Sequence, residues 1–221
     1  MCARYTLFTP GDLLAERFNL SDLLDLSPRY NVAPSQQVAV VGSKAGGGRG
    51  LAMFQWGFVP QWANDARSGP SPVNAKSESI ATNSAFRDSF RLRRCLIPND
   101  GFFEWQTTTS GKRPLWFRHK NRDLMAFAGI WDCWRGSTKP LFTCAIITTT
   151  CNELVRPIHD RMPVILPPER WEQWLDPSAQ STDAIQPLLC PFPADQMQAT
   201  PVSTFVNNSR HEGVQCIAEG N

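Results

Sequence analysis

Cysteine at position 2 holds the densest chemistry in the chain. Loss of Met1 leaves a free α-amine and a thiol on one residue. An α-amine with a pKa near ~7.7–8 is neutral in roughly a tenth of molecules at pH 7, whereas a free thiol near ~8.5 is thiolate in only about a few per cent. The amine can therefore attack an aldehyde first to give an imine. The thiol then closes on the same carbon to form a five-membered thiazolidine ring, which an internal cysteine, whose nitrogen is an amide, cannot do. The plain alternative is an ordinary second residue. Three further places could serve such chemistry. His159 lies in the run VRPIHDRMP, flanked by apolar residues and proline that stiffen the loop, and imidazole exchanges protons near neutrality; a structural histidine bonded to backbone is the other reading. Glu104 sits in GFFEW, where strand alternation puts Phe102 and Glu104 on one face. Aromatic surroundings raise a carboxyl pKa unless a cation pairs with it, so Glu104 is either a proton donor or a salt-bridged strand residue. Asn74, Lys76 and Glu78 bring an amide, a cation and a carboxylate together.

These groups need elements to hold them. Thr9 as cap and Pro10 at the first helical position predict a short helix through Leu14 and Phe18, and residues 28–34 read as extended loop. Residues 37–41 and 51–56 read as strands around the glycine turn 45–50, a hairpin. Residues 60–73 read as an irregular loop. A helix is expected over 80–94, with Phe86 and Phe90 on one side and Arg87, Arg91 and Arg94 forming the clearest basic patch. Strands follow at 94–97, 101–106, 114–119, 124–131 and 141–149, joined by short turns that imply antiparallel neighbours. Thr150 with Glu153 reads as a capping box for a short helix, and residues 168–175 as another. The class is α+β, mostly antiparallel, with a curved sheet or open β-barrel flanked by short helices, in one domain over residues 1–221.

Composition narrows the field. The chain has 221 residues, of which 18 are proline; that is about 8%, above the usual ~5%, and it disfavours a helical bundle. The 22 Lys+Arg against 20 Asp+Glu give a net charge of +2, so an anionic partner must be met by a local patch. Seven cysteines without CxxC spacing indicate neither a disulfide framework nor a zinc ribbon. Most are expected to be small buried hydrophobes. No apolar run approaches the roughly 18 residues of a membrane span, and the start lacks signal-peptide character, so a cytoplasmic protein is expected. Trp56 and Trp62 flank a turn in WGFVPQW; an exposed one could stack on a nucleobase for ~1–3 kcal/mol, and burial is the reading for Trp56.

Six ordered runs, MCARY, RYNVAP at 29–34, WGFVPQW, NAKSE at 74–78, GFFEW and HDRMP at 159–163, together resemble the SRAP family of SOS-response-associated, abasic-site-processing proteins. The similarity continues to Pro201-Val202-Ser203 and Val206-Asn207, over nearly the whole chain. It implies that Met1 is removed and that Cys2 crosslinks to the ring-opened aldehyde of an abasic site in single-stranded DNA, protecting the lesion. The roles it implies are Cys2 as nucleophile, Asn74 orienting Cys2 and the sugar, Glu104 in proton transfer, and His159 in ring opening and imine proton transfers. It places DNA contacts on Arg4, Pro34, Trp62, Lys76 and Arg161, and calls for no metal or organic cofactor. A monomer is expected, nucleoid-associated when on DNA, with Met1-removing peptidase and lyase side activities. Two departures stand out: Ala3 follows Cys2 where the family usually has glycine, and Lys76 replaces the arginine of NAR, exchanging a bidentate phosphate fork for a point charge. Two other readings are a thiol peptidase or N-terminal-nucleophile hydrolase using Cys2 and His159, and a plain single-strand binder.

Overall fold

A computed structural model describes residues 2–21, 25–66, 71–109, 111–179 and 181–220. In chain order they form β1 (Tyr5–Leu7), α1 (Gly11–Phe18), β2 (Arg29–Val32), β3 (Gln37–Ser43), β4 (Arg49–Trp56), β5 (Asn74–Lys76), α2 (Arg87–Leu92), β6 (Arg94–Asn99), β7 (Gly101–Thr108), β8 (Gly111–His119), β9 (Met125–Trp134), β10 (Leu141–Thr150), β11 (Arg161–Pro163), α3 (Trp171–Leu175) and β12 (Met197–Pro201), with short 3₁₀ turns towards the C-terminus.

Two sheets enclose the core. The first has order β12-β8-β7-β1-β2; the second runs β11-β10-β4-β3-β6-β9, with β5 beside β10 and β9 also paired to β10. That second pairing curls the sheet strongly, but β3 meets β6 only at Val41 and Leu96, so the curl is an open barrel without a full ladder around it. Ladders are antiparallel except where β4 and β5 lie parallel to β10. The expected α+β class with a curved sheet and few short helices is observed. Trp56, Phe58, Phe102, Phe117 and Phe127 fill the main core between the sheets. A smaller cluster on the outer face of the first sheet, Phe103, Trp116, Val202, Val206 and Cys216, is covered by the C-terminal segment. No helix among the described residues is long and apolar enough to cross a membrane.

Local sequence explains most elements. In α1 the spacing of Leu14, Ala15 and Phe18 buries one stripe, and Asn19 in the left-handed region ends the helix. The hairpin β3–β4 turns through Gly46, Gly47 and Gly48, all with φ between 77° and 100°, a stretch that side chains would strain. Gly101 opens β7 because a Cβ there would lie 2.6 Å from the Phe117 carbonyl.

Four expectations change. Thr9 does not cap α1: its hydroxyl bonds Asp100, and Pro10 takes the cap position. Residues 29–32 are strand β2, paired with β1, rather than loop. The helix expected over 80–94 shrinks to α2, since Asn83 turns the chain first, its Oδ1 accepting from Ala85 N–H at 2.9 Å. Residue 150 stays in β10 opposite Arg161, and Asn152, not Thr150, caps the following turn by accepting from Val155 N–H at 3.0 Å. Of the six internal cysteines, Cys95, Cys144 and Cys216 are buried as expected, Cys133 and Cys151 are half-buried, and Cys190 is exposed; Cys2 is buried too. Residues 67–70 of the expected loop lie outside the described residues.

Candidate active site

The start of the chain is laid beside β7 by register. Tyr5 pairs with Phe102, and Phe103 N–H donates to the Arg4 carbonyl at 3.0 Å. Continuing that antiparallel alignment brings the first residues alongside Glu104. Cys2 is fully buried, and the charge of Glu104 bears on its thiol. Burial foremost, and that charge second, push the Cys2 thiol above its ordinary value.

Asn74 reaches the same place from the second sheet. The three residues of β5 pair with Ile146, Ile147 and Thr148 of β10. Ala75 is buried in the core, so alternation turns Asn74 and Lys76 to the opposite face. Asn74 Nδ2 donates to the Cys2 carbonyl at 2.9 Å, while its buried Oδ1 has no partner among the described residues. Lys76 is exposed.

Glu104 is also on the wall of an open cleft of about 530 Å³, shared with Arg4, Trp105, Lys112, His159 and Asn207. Glu104 is 6% exposed, and burial raises its carboxyl pKa against the pull of nearby positive charge, His159 included. Such a carboxyl keeps its proton closer to neutrality than a solvated one, which suits a proton donor. The His159 ring is 31% exposed, and its Nδ1 meets both the Arg161 main-chain nitrogen and Asp160.

Arg4 is half-buried and braced. It donates to Asn31 Oδ1 at 2.7 Å and to the Val206 carbonyl at 2.9 Å, and it lies 5.5 Å over the Trp105 ring. Trp105 Nε1 donates to Asn207 Oδ1 at 2.7 Å. Asn31, fully buried, holds the same segment through the Asn208 and His211 carbonyls, so the C-terminal stretch is stitched to β1 and β2 as one wall of the cleft.

The fold thus gathers Cys2, Asn74, Glu104, His159 and Arg4 from distant parts of the sequence. Pro34, Trp62, Lys76 and Arg161 stand outside the cleft wall. Trp62 is 60% exposed, whereas Trp56 is buried with its Nε1 bonded to the Val73 carbonyl. Pro34 is half-buried in the turn before β3. Arg161 is engaged by Glu78 through two bonds of 2.6 and 2.9 Å. The expected basic stripe on α2 is absent as such: Arg94 is buried against carbonyls, and Arg87 lies 3.7 Å from Asp88. Sequence reasoning passed over Trp105, Lys112, Asn207 and Asn31. Trp105 adjoins Glu104, but alternation assigns it to the other face; both line one cleft because the cleft opens at the edge of the sheet.

Fold and site define a class: an α+β protein of two largely antiparallel sheets with a buried Cys2 near an open polar cleft. The chain belongs to the SOS response associated peptidase (SRAP) family, whose model matches residues 1–209. It is 40% identical over 222 residues to the abasic site processing protein YoqW of Bacillus subtilis strain 168, covering 98% of this chain and 99% of the relative. It is 31% identical to the abasic site processing protein HMCES of Gallus gallus, over 86% of this chain and 66% of that one. A crystal structure of a protein from Bacteroides thetaiotaomicron superposes with a TM-score of 0.88 at 25% identity, with full coverage of both chains.

Proposed function

We propose that this protein processes abasic sites in single-stranded DNA by capturing the ring-opened sugar aldehyde on Cys2 once Met1 has been removed. The observation that carries the reading is the placement of Cys2: its carbonyl is held by Asn74, its thiol is close enough to Glu104 to feel that carboxyl, and Glu104 lines a cleft with Arg4, Lys112 and His159. The relatives' names, abasic site processing protein, support an abasic site as the substrate.

The chemistry balances without a cofactor. The amine adds to the aldehyde carbon, and loss of one water leaves the imine. The thiol sulfur then bonds that carbon as its proton passes to the nitrogen, closing the thiazolidine with no further loss. His159 exchanges protons during sugar ring opening and imine formation. Glu104, whose carboxyl pKa burial raises, donates to the departing hydroxyl. The unpartnered Asn74 Oδ1 accepts from the amine or from a sugar hydroxyl. Exposed Trp62 offers a base-stacking face and exposed Lys76 a phosphate contact, whereas a phosphate reaching Arg161 competes with Glu78. Pro34 shapes the adjoining turn, and braced Arg4 supports Trp105 as it faces the strand. The imine also acidifies the neighbouring sugar carbon, so strand cleavage by β-elimination is a side reaction.

A thiolate peptidase fits less well. The Cys2 thiol is pushed above its ordinary value by burial, which favours attack by the amine over attack by sulfur.

Intact-protein mass spectrometry with a short single-stranded oligonucleotide bearing one abasic site tests the reading. The expected product is the Met1-free chain plus the oligonucleotide less one water, absent in Cys2→Ala. A Met1-free wild-type chain that forms no adduct overturns it.

A further inference from the structure

His159 meets two partners at one nitrogen. The main-chain N–H of Arg161 donates to Nδ1 across 2.9 Å, and Asp160 Oδ1 lies 2.8 Å from the same atom. The two contacts demand opposite states: the N–H donor needs a lone pair on Nδ1, the carboxylate a proton. A neutral imidazole has a single ring proton, so the partner chosen at Nδ1 also decides the state of Nε2. With Arg161 the proton sits on Nε2 and the ring can donate there; with Asp160 it sits on Nδ1 and Nε2 can accept.

We propose that Asp160 is a positioning residue for His159: in competition with the Arg161 N–H it sets which ring nitrogen carries the proton, letting the ring serve the cleft as acid or as base without turning. This rests on the reading of His159 as the proton carrier above, whose ring opening and dehydration steps call for both capacities.

The two arms differ in stiffness. Arg161 is pinned by Glu78, by a bond of 2.7 Å to the Thr148 carbonyl, and by its pairing with Thr150 at the start of β11. The loop backbone is tied too, His159 N–H to the Val155 carbonyl at 3.0 Å and Cys151 N–H to the Asp160 carbonyl at 3.1 Å. The backbone donor therefore cannot drift from Nδ1. The Asp160 side chain is 86% exposed, so solvent weakens a contact that its charge would otherwise make dominant. A fixed neutral donor and a screened charged acceptor contend on near-equal terms. The other charged groups around the ring are Glu104, Arg4 and Lys112 in the cleft wall and the Arg161–Glu78 pair beside the loop.

Nitrogen-15 NMR of the histidine rings in the DNA-free protein reads the tautomer directly, with His159→Gln identifying the signal among the three histidines. In the wild-type neutral ring both nitrogens should show averaged shifts. Asp160→Ala, a substitution at an exposed side chain, should move Nδ1 to the lone-pair type, with a several-fold fall in the Nδ1–H population, and Asp160→Glu should restore it. Single-turnover adduct formation should slow several-fold in Asp160→Ala and recover in Asp160→Glu. An unchanged ring signature in Asp160→Ala, or a wild-type ring already wholly Nε2–H, overturns the proposal and leaves capture by Cys2 standing. The expected ring response in a chain that forms no adduct upholds tautomer selection and removes the capture reading instead.

Discussion

Two regions bury arginine side chains and treat them differently. Where α2 meets α3, Arg94 directs its donors at four carbonyls, those of Phe90, Arg91, Trp174 and Asp176, at 2.6–3.0 Å. On the cleft wall Arg4, and beside the His159 loop Arg161, are also well bonded, yet the Nε of each is buried with no partner among the described residues, as is Asn74 Oδ1. Buried polar atoms are nearly always satisfied; exceptions also lie away from the cleft, at Arg118 Nε and Asn99 Oδ1, but those of Arg4 and Asn74 stand beside the groups that would meet a bound molecule. Arginine at the helix junction is a structural clamp; arginine and asparagine at the cleft hold hydrogen-bonding capacity in reserve. The difference is one of surroundings, not of residue type.

The largest effect that should sharpen this contrast is on stability. Arg94→Met strands four carbonyls in a buried corner and should cost about 3–4 kcal/mol, read by urea unfolding, with adduct yield per folded molecule unchanged. Reduced reactivity of the folded variant would erase the distinction. Asn74→Ala should do the reverse, slowing adduct formation by about 10–100-fold through loss of alignment while moving stability by no more than about 1 kcal/mol. A stability loss without a rate loss would place Asn74 with the clamps. The smallest effect is on the pH dependence of folding. Because burial raises the Glu104 carboxyl pKa, the folded state holds this proton more tightly than the unfolded one. Stability should therefore fall as pH rises from the ordinary glutamate value of 4.5 through the raised one, then level off. Glu104→Gln should remove that decline in urea melts recorded across the range. An unaltered slope would mean that Glu104 is not the group responsible.

Much of the fold was legible because strands with buried faces announce themselves. The glycine turn set the β3–β4 hairpin, and closely spaced apolar runs set β6 to β10. The errors fell where a polar side chain had two possible employments. Thr9 and Thr150 looked like caps, but one bonds Asp100 and the other ends a strand. Arg94 looked like part of a basic face because spacing along a helix describes direction, not what the helix packs against.

The candidate site divides the same way. Residue types alone pointed to Cys2, Glu104, His159 and Asn74, since an amine-and-thiol pair, a carboxylate among aromatics and an imidazole in a stiff loop have chemistry written into their covalent structure. That chemistry, the strand periodicity and the modest charge were determined by the sequence. Tertiary structure alone decided that Asn74 from β5 reaches the Cys2 carbonyl, that Trp105, Lys112 and Asn207 share a cleft with Glu104, and that Arg161 faces both Glu78 and His159. The Asn74–Cys2, Arg161–Glu78 and Trp105–Asn207 contacts span 72, 83 and 102 residues, fixed by strand register and by the joint packing of two sheets. No local pattern encodes them, because the free energy that selects them comes from burying the whole core at once.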